Sequence, residues 1–90
     1  MALSSRAVTV TTAPTLLDAV GDDNAINQSF SFYNGSAVIV YVGGSDVSST
    51  NGAPVAADSW SPGMDLGSGD NVYGIVATGT AEVRVLEVGV

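Results

Sequence analysis

Turn signals interrupt this chain too often for helices to form. Gly21-Asp22-Asp23, Asn34-Gly35, Gly43-Gly44, Asn51-Gly52, Ser61-Pro62-Gly63, Gly67–Asn71 and Thr78-Gly79 divide the 90 residues into short runs. Within those runs apolar and polar residues alternate in twos, the period of a strand with one face buried. The best helical stretch, TLLDAV at 15–20, follows Pro14 and stops at Gly21. The spacing predicts strands over Ala7–Thr11, Thr15–Ala19, Ile26–Tyr33, Ala37–Val42, Val55–Trp60, Met64–Leu66, Val72–Ala77 and Ala81–Val88. The fold class is therefore all-β: a single small antiparallel β-sandwich or jelly-roll-like barrel of about seven to eight short strands. Residues 8–90 read as one domain, with residues 1–7 as an N-terminal arm.

The stretch FSFYNGSAVIVYVGG, residues 30–44, poses the main question. Asn34-Gly35 between two β-rich runs is the strongest short-range hairpin signal, because both residues of a type I′ turn need positive φ. A two-residue turn would set Phe32 opposite Ala37 and Phe30 opposite Ile39. Phe30, Phe32, Ala37, Ile39 and Tyr41 then face the core. The opposite face carries Asn27, Ser29, Ser31 and Tyr33 beside Val38, Val40 and Val42. Small hydroxyls next to a valine stripe suit a contact with another protein better than they suit water. A one-residue slip would exchange the two faces. In the last strand Ala81, Val83 and Val85 share one side. The alternation then fails, because Leu86 and Val88 fall on the side of Arg84. That end either is buried in its own domain or packs on a neighbouring subunit.

Composition narrows the function. A chain of this size buries only about 60–65% of its unfolded surface. It has no cysteine to staple it, and apolar residues reach 46% while charged ones are 12%. So apolar a surface belongs to an assembly subunit more naturally than to a lone domain. Arg6 and Arg84 are the only cations against nine carboxylates, a formal charge of −7. That balance argues against nucleic acid and against anionic membrane surfaces. The longest apolar run, Ala37–Val42, is far short of a bilayer span. The first ten residues lack the charged and apolar regions of a signal peptide.

Catalysis has few means here. With no histidine, cysteine or lysine, a nucleophile would rest on Ser45-Asp46 or on Ser68 near Asp70, and such pairs are ordinary turn residues. We expect no enzyme and no cofactor. Oxygen ligands for calcium are offered by Asp22, Asp23 and Asn24, and by Asp65, Ser68, Asp70 and Asn71. Neither set has the EF-hand spacing, and both suit turn capping, so no metal site is assigned. Trp60, the only tryptophan, reads as a plug at one end of the core, or as a stacking platform for a sugar. The polar segment Ser45–Pro54, with Asp46 and Asn51, reads as a binding loop.

The segments VYVGGSDVSSTNGAPV and LGSGDNVYGIVATGTAEVRVLEV, within residues 33–88, resemble small β-sandwich virion proteins of tailed bacteriophages. The N-terminal third lies outside that likeness. The resemblance implies a structural part of the particle: a capsid decoration, or cement, protein on the capsid exterior. It would bind the major capsid protein and sister subunits as a homo-oligomer, a trimer around a threefold axis. The residues expected at the contacts are Arg6 in the arm, Ser29, Ser31, Tyr33, Val38, Val40 and Val42 on the hairpin face, and Asp46 and Asn51 in the loop. The alternative is a tail or fibre adhesion module that binds carbohydrate, with or without calcium.

Overall fold

The computed structural model describes residues 2–19, 28–67 and 69–89. These form β1 (Ala2–Val10), β2 (Thr15–Ala19), β3 (Gln28–Asn34), β4 (Val40–Gly43), β5 (Ala53–Val55), β6 (Ser59–Trp60), β7 (Met64–Leu66), β8 (Asn71–Ile75) and β9 (Ala81–Gly89). No helix occurs among the described residues, so the all-β reading holds. Sheet A has the order β1-β9-β3, with β6 and β7 end to end along the far edge of β3. Sheet B has the order β2-β8-β4-β5. Every pairing is antiparallel.

With β6 and β7 taken as one interrupted strand, the pairs nest: β1 with β9, β2 with β8, β3 with β6–β7, and β4 with β5. The chain is a long antiparallel ribbon doubled on itself and rolled between two sheets. The β9–β3 and β8–β4 ladders join its turns. This is the jelly-roll solution, in which both sheets bury one face against each other. The core between them is Val10, Leu17, Phe30, Phe32, Val40, Val55, Leu66, Val72, Val76, Ala81, Val83 and Val85. Each fully buried side chain of this kind contributes about 1.5–3 kcal/mol. Gly74 lies in that interface because a Cβ there would come within 3.1 Å of Leu17 Cδ1 and 3.4 Å of Val40 Cγ1.

The 34–35 hairpin does not form. β3 and β4 belong to different sheets, and Gly35 does not take positive φ. Asn34 instead turns its side chain into the molecule and is fully buried. Its amide donates to the carbonyls of Val38 (2.8 Å), Val55 (3.1 Å) and Ala56 (3.2 Å). Its Oδ1 accepts from the Ser36 N–H at 3.1 Å and the Ser36 hydroxyl at 2.7 Å. One buried amide thus replaces the ladder bonds that the chain gives up in crossing between sheets. With the hairpin gone, the faces of the second strand reverse. Val40 is fully buried, Val38 and Val42 pack on the core, and Ile39 is exposed.

Two further boundaries move. The stretch expected as one strand over Val55–Trp60 is divided between sheets by a turn in which Asp58 has φ 55°. Asp is among the few non-glycine residues that accept the left-handed region readily. Residues 2–7, expected as an arm, are in β1 and pair with β9 as far as Ala2↔Gly89. Ile26 and Asn27, placed in a strand by the sequence pattern, lie outside the described residues.

Candidate interaction surface

The outward face of sheet A is set by the alternation of its strands. Val8 and Val10, Ala81 to Val85 in steps of two, and Phe30 and Phe32 point at the core. Ser5, Ala7 and Thr9, then Glu82, Arg84, Leu86 and Val88, then Ser29, Ser31 and Tyr33 therefore point away from it. The ladders align these residues in rows. Trp60 lies opposite Tyr33, Tyr33 opposite Arg84, and Arg84 opposite Ala7. Beneath that row run Ser31, Leu86 and Ser5.

Trp60 is 57% exposed, so it is not the core plug that the sequence suggested. Its ring sits on that of Tyr33, centroids 5.4 Å apart and tilted by 54°. The Arg84 guanidinium reaches Glu82 at 3.0 Å, both side chains more than half exposed. Such a pair contributes little to stability and leaves the guanidinium available to a partner. Tyr33, Gly35, Glu82 and Arg84 enclose a depression of about 300 Å³. The edge beyond Tyr33 is locked by Ser61. Its N–H donates to the Phe32 carbonyl at 2.7 Å, and its hydroxyl accepts from the Phe32 N–H at 2.8 Å. A side-chain oxygen thereby keeps β3 bonded across the break at Pro62.

The residues singled out in the sequence now separate. Ser29, Ser31 and Tyr33 do lie together on this outward face, and Ser29 donates to Asp65 at 3.0 Å. Val38, Val40 and Val42 do not join them, because they face the core. Arg6 is the side chain that ties the two sheets together along one side. It donates to Glu87 at 2.9 Å, to the Leu17 carbonyl, and to Asp18 at 3.3 Å. Asp46 and Asn51 are exposed, but Asn51 is engaged by its own loop. It accepts from the Ser48 N–H at 2.7 Å and donates to the Asp46 carbonyl at 3.3 Å. That loop is anchored by buried Val47, whose side chain lies where a Cβ at Gly43 or Gly52 would be. The loop therefore covers part of the outer side of β4.

Sequence reasoning put Leu86 and Val88 on the side of Arg84 but did not bring Trp60 and the outward residues of β3 onto that same face. The break in alternation after Val85 was the available signal. The outward face of sheet B was also missed. Leu16, Ile39, Tyr41, Pro54 and Tyr73 lie on it without a charged neighbour from its strands, and Leu16 and Ile39 are 48% and 44% exposed. On the side away from Arg6, the sheets part around an apolar cleft of about 320 Å³ lined by Val42, Ala53, Val55, Pro62, Met64 and Val72.

Among the described residues no three carboxylates gather to hold a metal. Asp70 caps its own turn, accepting from the Gly67 N–H at 2.8 Å, while Asp65 accepts from Ser29. Asp22, Asp23, Asn24 and Ser68, named above as possible ligands or nucleophile, lie outside the described residues. No protein-family model, curated protein or solved structure matches the chain.

Proposed function

We propose that this protein is a non-enzymatic virion structural component, a capsid decoration protein that binds the major capsid protein and sister subunits. The observation that carries the adhesive part is the row Trp60–Tyr33–Arg84 on the outward face of sheet A. Trp, Tyr and Arg are the side chains that dominate binding energy at protein interfaces. Here they stand on a rigid sheet above a floor of Ser29, Ser31, Leu86 and Val88, flat enough for a second surface to lie against. The capsid as partner, and a trimer as the assembly, come from the resemblance of residues 33–88 to phage virion proteins. A formal charge of −7 keeps such a protein from adhering to DNA. The test is the copy number in purified particles against the major capsid protein. A ratio near one to one supports decoration, and absence from the particle overturns it.

One observation favours the second reading, a tail or fibre module that binds carbohydrate. Exposed Trp60 and Tyr33, next to Arg84 and Glu82, also make a stacking platform with hydrogen-bonding groups at its edge. A few copies per particle, together with a Trp60 fluorescence change on adding neutral oligosaccharides, would support that reading over decoration.

A further inference from the structure

The four sheet edges of this sandwich are not alike. β5 is three residues long and contains Pro54. The β6–β7 edge is broken by Ser61-Pro62-Gly63. β2 is short, and its register shifts between Leu16 and Asp18. Short length, proline and bulges are the devices by which sheets keep their edges from pairing with other chains. β1 is neither short nor interrupted by proline or a bulge, and its one inward-pointing charge, Arg6, is compensated by Asp18 and Glu87. It runs nine residues in unbroken register with β9, from Ala2↔Gly89 to Val10↔Ala81, and among the described residues it pairs with β9 alone.

Charge points to the occupant of this edge. All nine carboxylates lie outside β1, at Asp18, Asp22, Asp23, Asp46, Asp58, Asp65, Asp70, Glu82 and Glu87. The β2 edge carries Asp18 and the β6–β7 edge Asp65, whereas β1 and β5 carry no carboxylate, and of these two only β1 lacks proline. For two copies that each carry −7, pairing β1 to β1 therefore adds no like charge from the pairing strands themselves. The single charged side chain of β1, Arg6, is turned toward the core side, where Asp18 and Glu87 hold it. The side chains on its outward face, Ser5, Ala7 and Thr9, are small and uncharged.

We propose that β1 is a homodimer edge: two copies pair β1 to β1 antiparallel about a twofold axis, joining their sheets A into one continuous sheet. A twofold perpendicular to the sheet keeps both sets of core-facing residues on one side, so partners must share parity. Centring it on Ala7 places Ser5 opposite Thr9 of the second copy and sets Arg6 opposite Val8 rather than opposite its own mate. Backbone hydrogen bonds supply the affinity, as in other strand additions. The outward faces of the two copies, each with its Trp60–Tyr33–Arg84 row, then lie on the same side of the joined sheet. The twofold pair stands in place of the threefold trimer that the resemblance implies, and a trimer in solution overturns it; the inference does not depend on the identity of any other partner.

Sedimentation equilibrium of the full chain tests it, with salt raised to screen the shared negative charge. The wild type is expected to form a dimer. Ser5→Glu with Thr9→Glu, and separately Ser5→Lys with Thr9→Lys, are expected to weaken self-association at least tenfold, while an equimolar mixture of the two restores a dimer. Hydrogen exchange of the wild-type β1 amides supplies a readout that needs no variant: protection should rise with protein concentration. A wild type that stays monomeric at every concentration overturns the proposal. So does a dimer whose β1 amides gain no protection, or folded variants that fail to recombine.

Discussion

Arg6 and Asp18 meet 3.3 Å apart across one side of the sandwich, the guanidinium from β1 of sheet A and the carboxylate from β2 of sheet B. Asp18 is 4% exposed, and the same guanidinium also reaches the Leu17 carbonyl and Glu87. One side chain therefore joins both sheets on the side opposite the apolar cleft. Removing it leaves a buried carboxylate and a carbonyl short of a donor, a loss that costs far more than an exposed pair would.

Arg6→Ala should therefore lower stability by about 2 kcal/mol, a figure held down because the Arg6 side chain is itself 40% exposed. Urea unfolding measures it. Asp18→Asn in the Arg6→Ala background should cost less than it does alone, because the Arg6–Asp18 ion pair is already broken. Strictly additive losses would show that the pair does not couple the sheets.

Asn34→Gly separates two explanations of the same residue. If Asn34 were there to accept the backbone of a tight turn, glycine would serve as well. The structure instead uses its amide to satisfy three carbonyls and Ser36. Asn34→Gly and Asn34→Ala should both destabilise by about 2–4 kcal/mol, the cost of several buried groups left unpaired. A near-neutral glycine variant in thermal or urea melts would contradict this account.

Val40→Asp and Ser29→Asp were equivalent positions on the hairpin face expected from sequence, and they are opposite in the structure. Val40 is fully buried, whereas Ser29 is exposed beside Asp65. An unpaired carboxylate at Val40 should prevent folding. At Ser29 it should leave a folded chain, with circular dichroism unchanged and stability lowered by less than about 1 kcal/mol through repulsion from Asp65. Two folded variants would restore the hairpin register.

Where the sequence was legible, local chemistry decided the structure. Thr15–Ala19 and Met64–Leu66 are strands with the bounds their alternation predicted, and Ala81–Val88 falls one residue short of β9. Asn34-Gly35 misled because asparagine has two uses at a chain reversal: tolerance of positive φ, and a side chain that replaces backbone partners. Only the second needs Val55 and Ala56, twenty or more residues away. The misplaced faces of β4 follow from that single choice, since the side-chain period of two turns one wrong turn into a reversed strand. Arg6 looked like a loose cation because its partners, Asp18 and Glu87, sit at opposite ends of the chain. The outward row was hidden for a similar reason. Trp60, Tyr33 and Arg84 become neighbours only through pairings of β3 with β6 and β9, which no local pattern shows.

The central claim is that the outward face of sheet A adheres to the capsid, and binding to particles that lack this protein tests it most directly. Titrating the purified chain onto such particles should saturate near one copy per major capsid subunit. Trp60→Ala should remain folded and bind at least about 30-fold more weakly, the effect of losing an interface anchor of about 2 kcal/mol. A wild-type chain that does not bind, or a Trp60→Ala chain that binds as well as the wild type, would contradict the account.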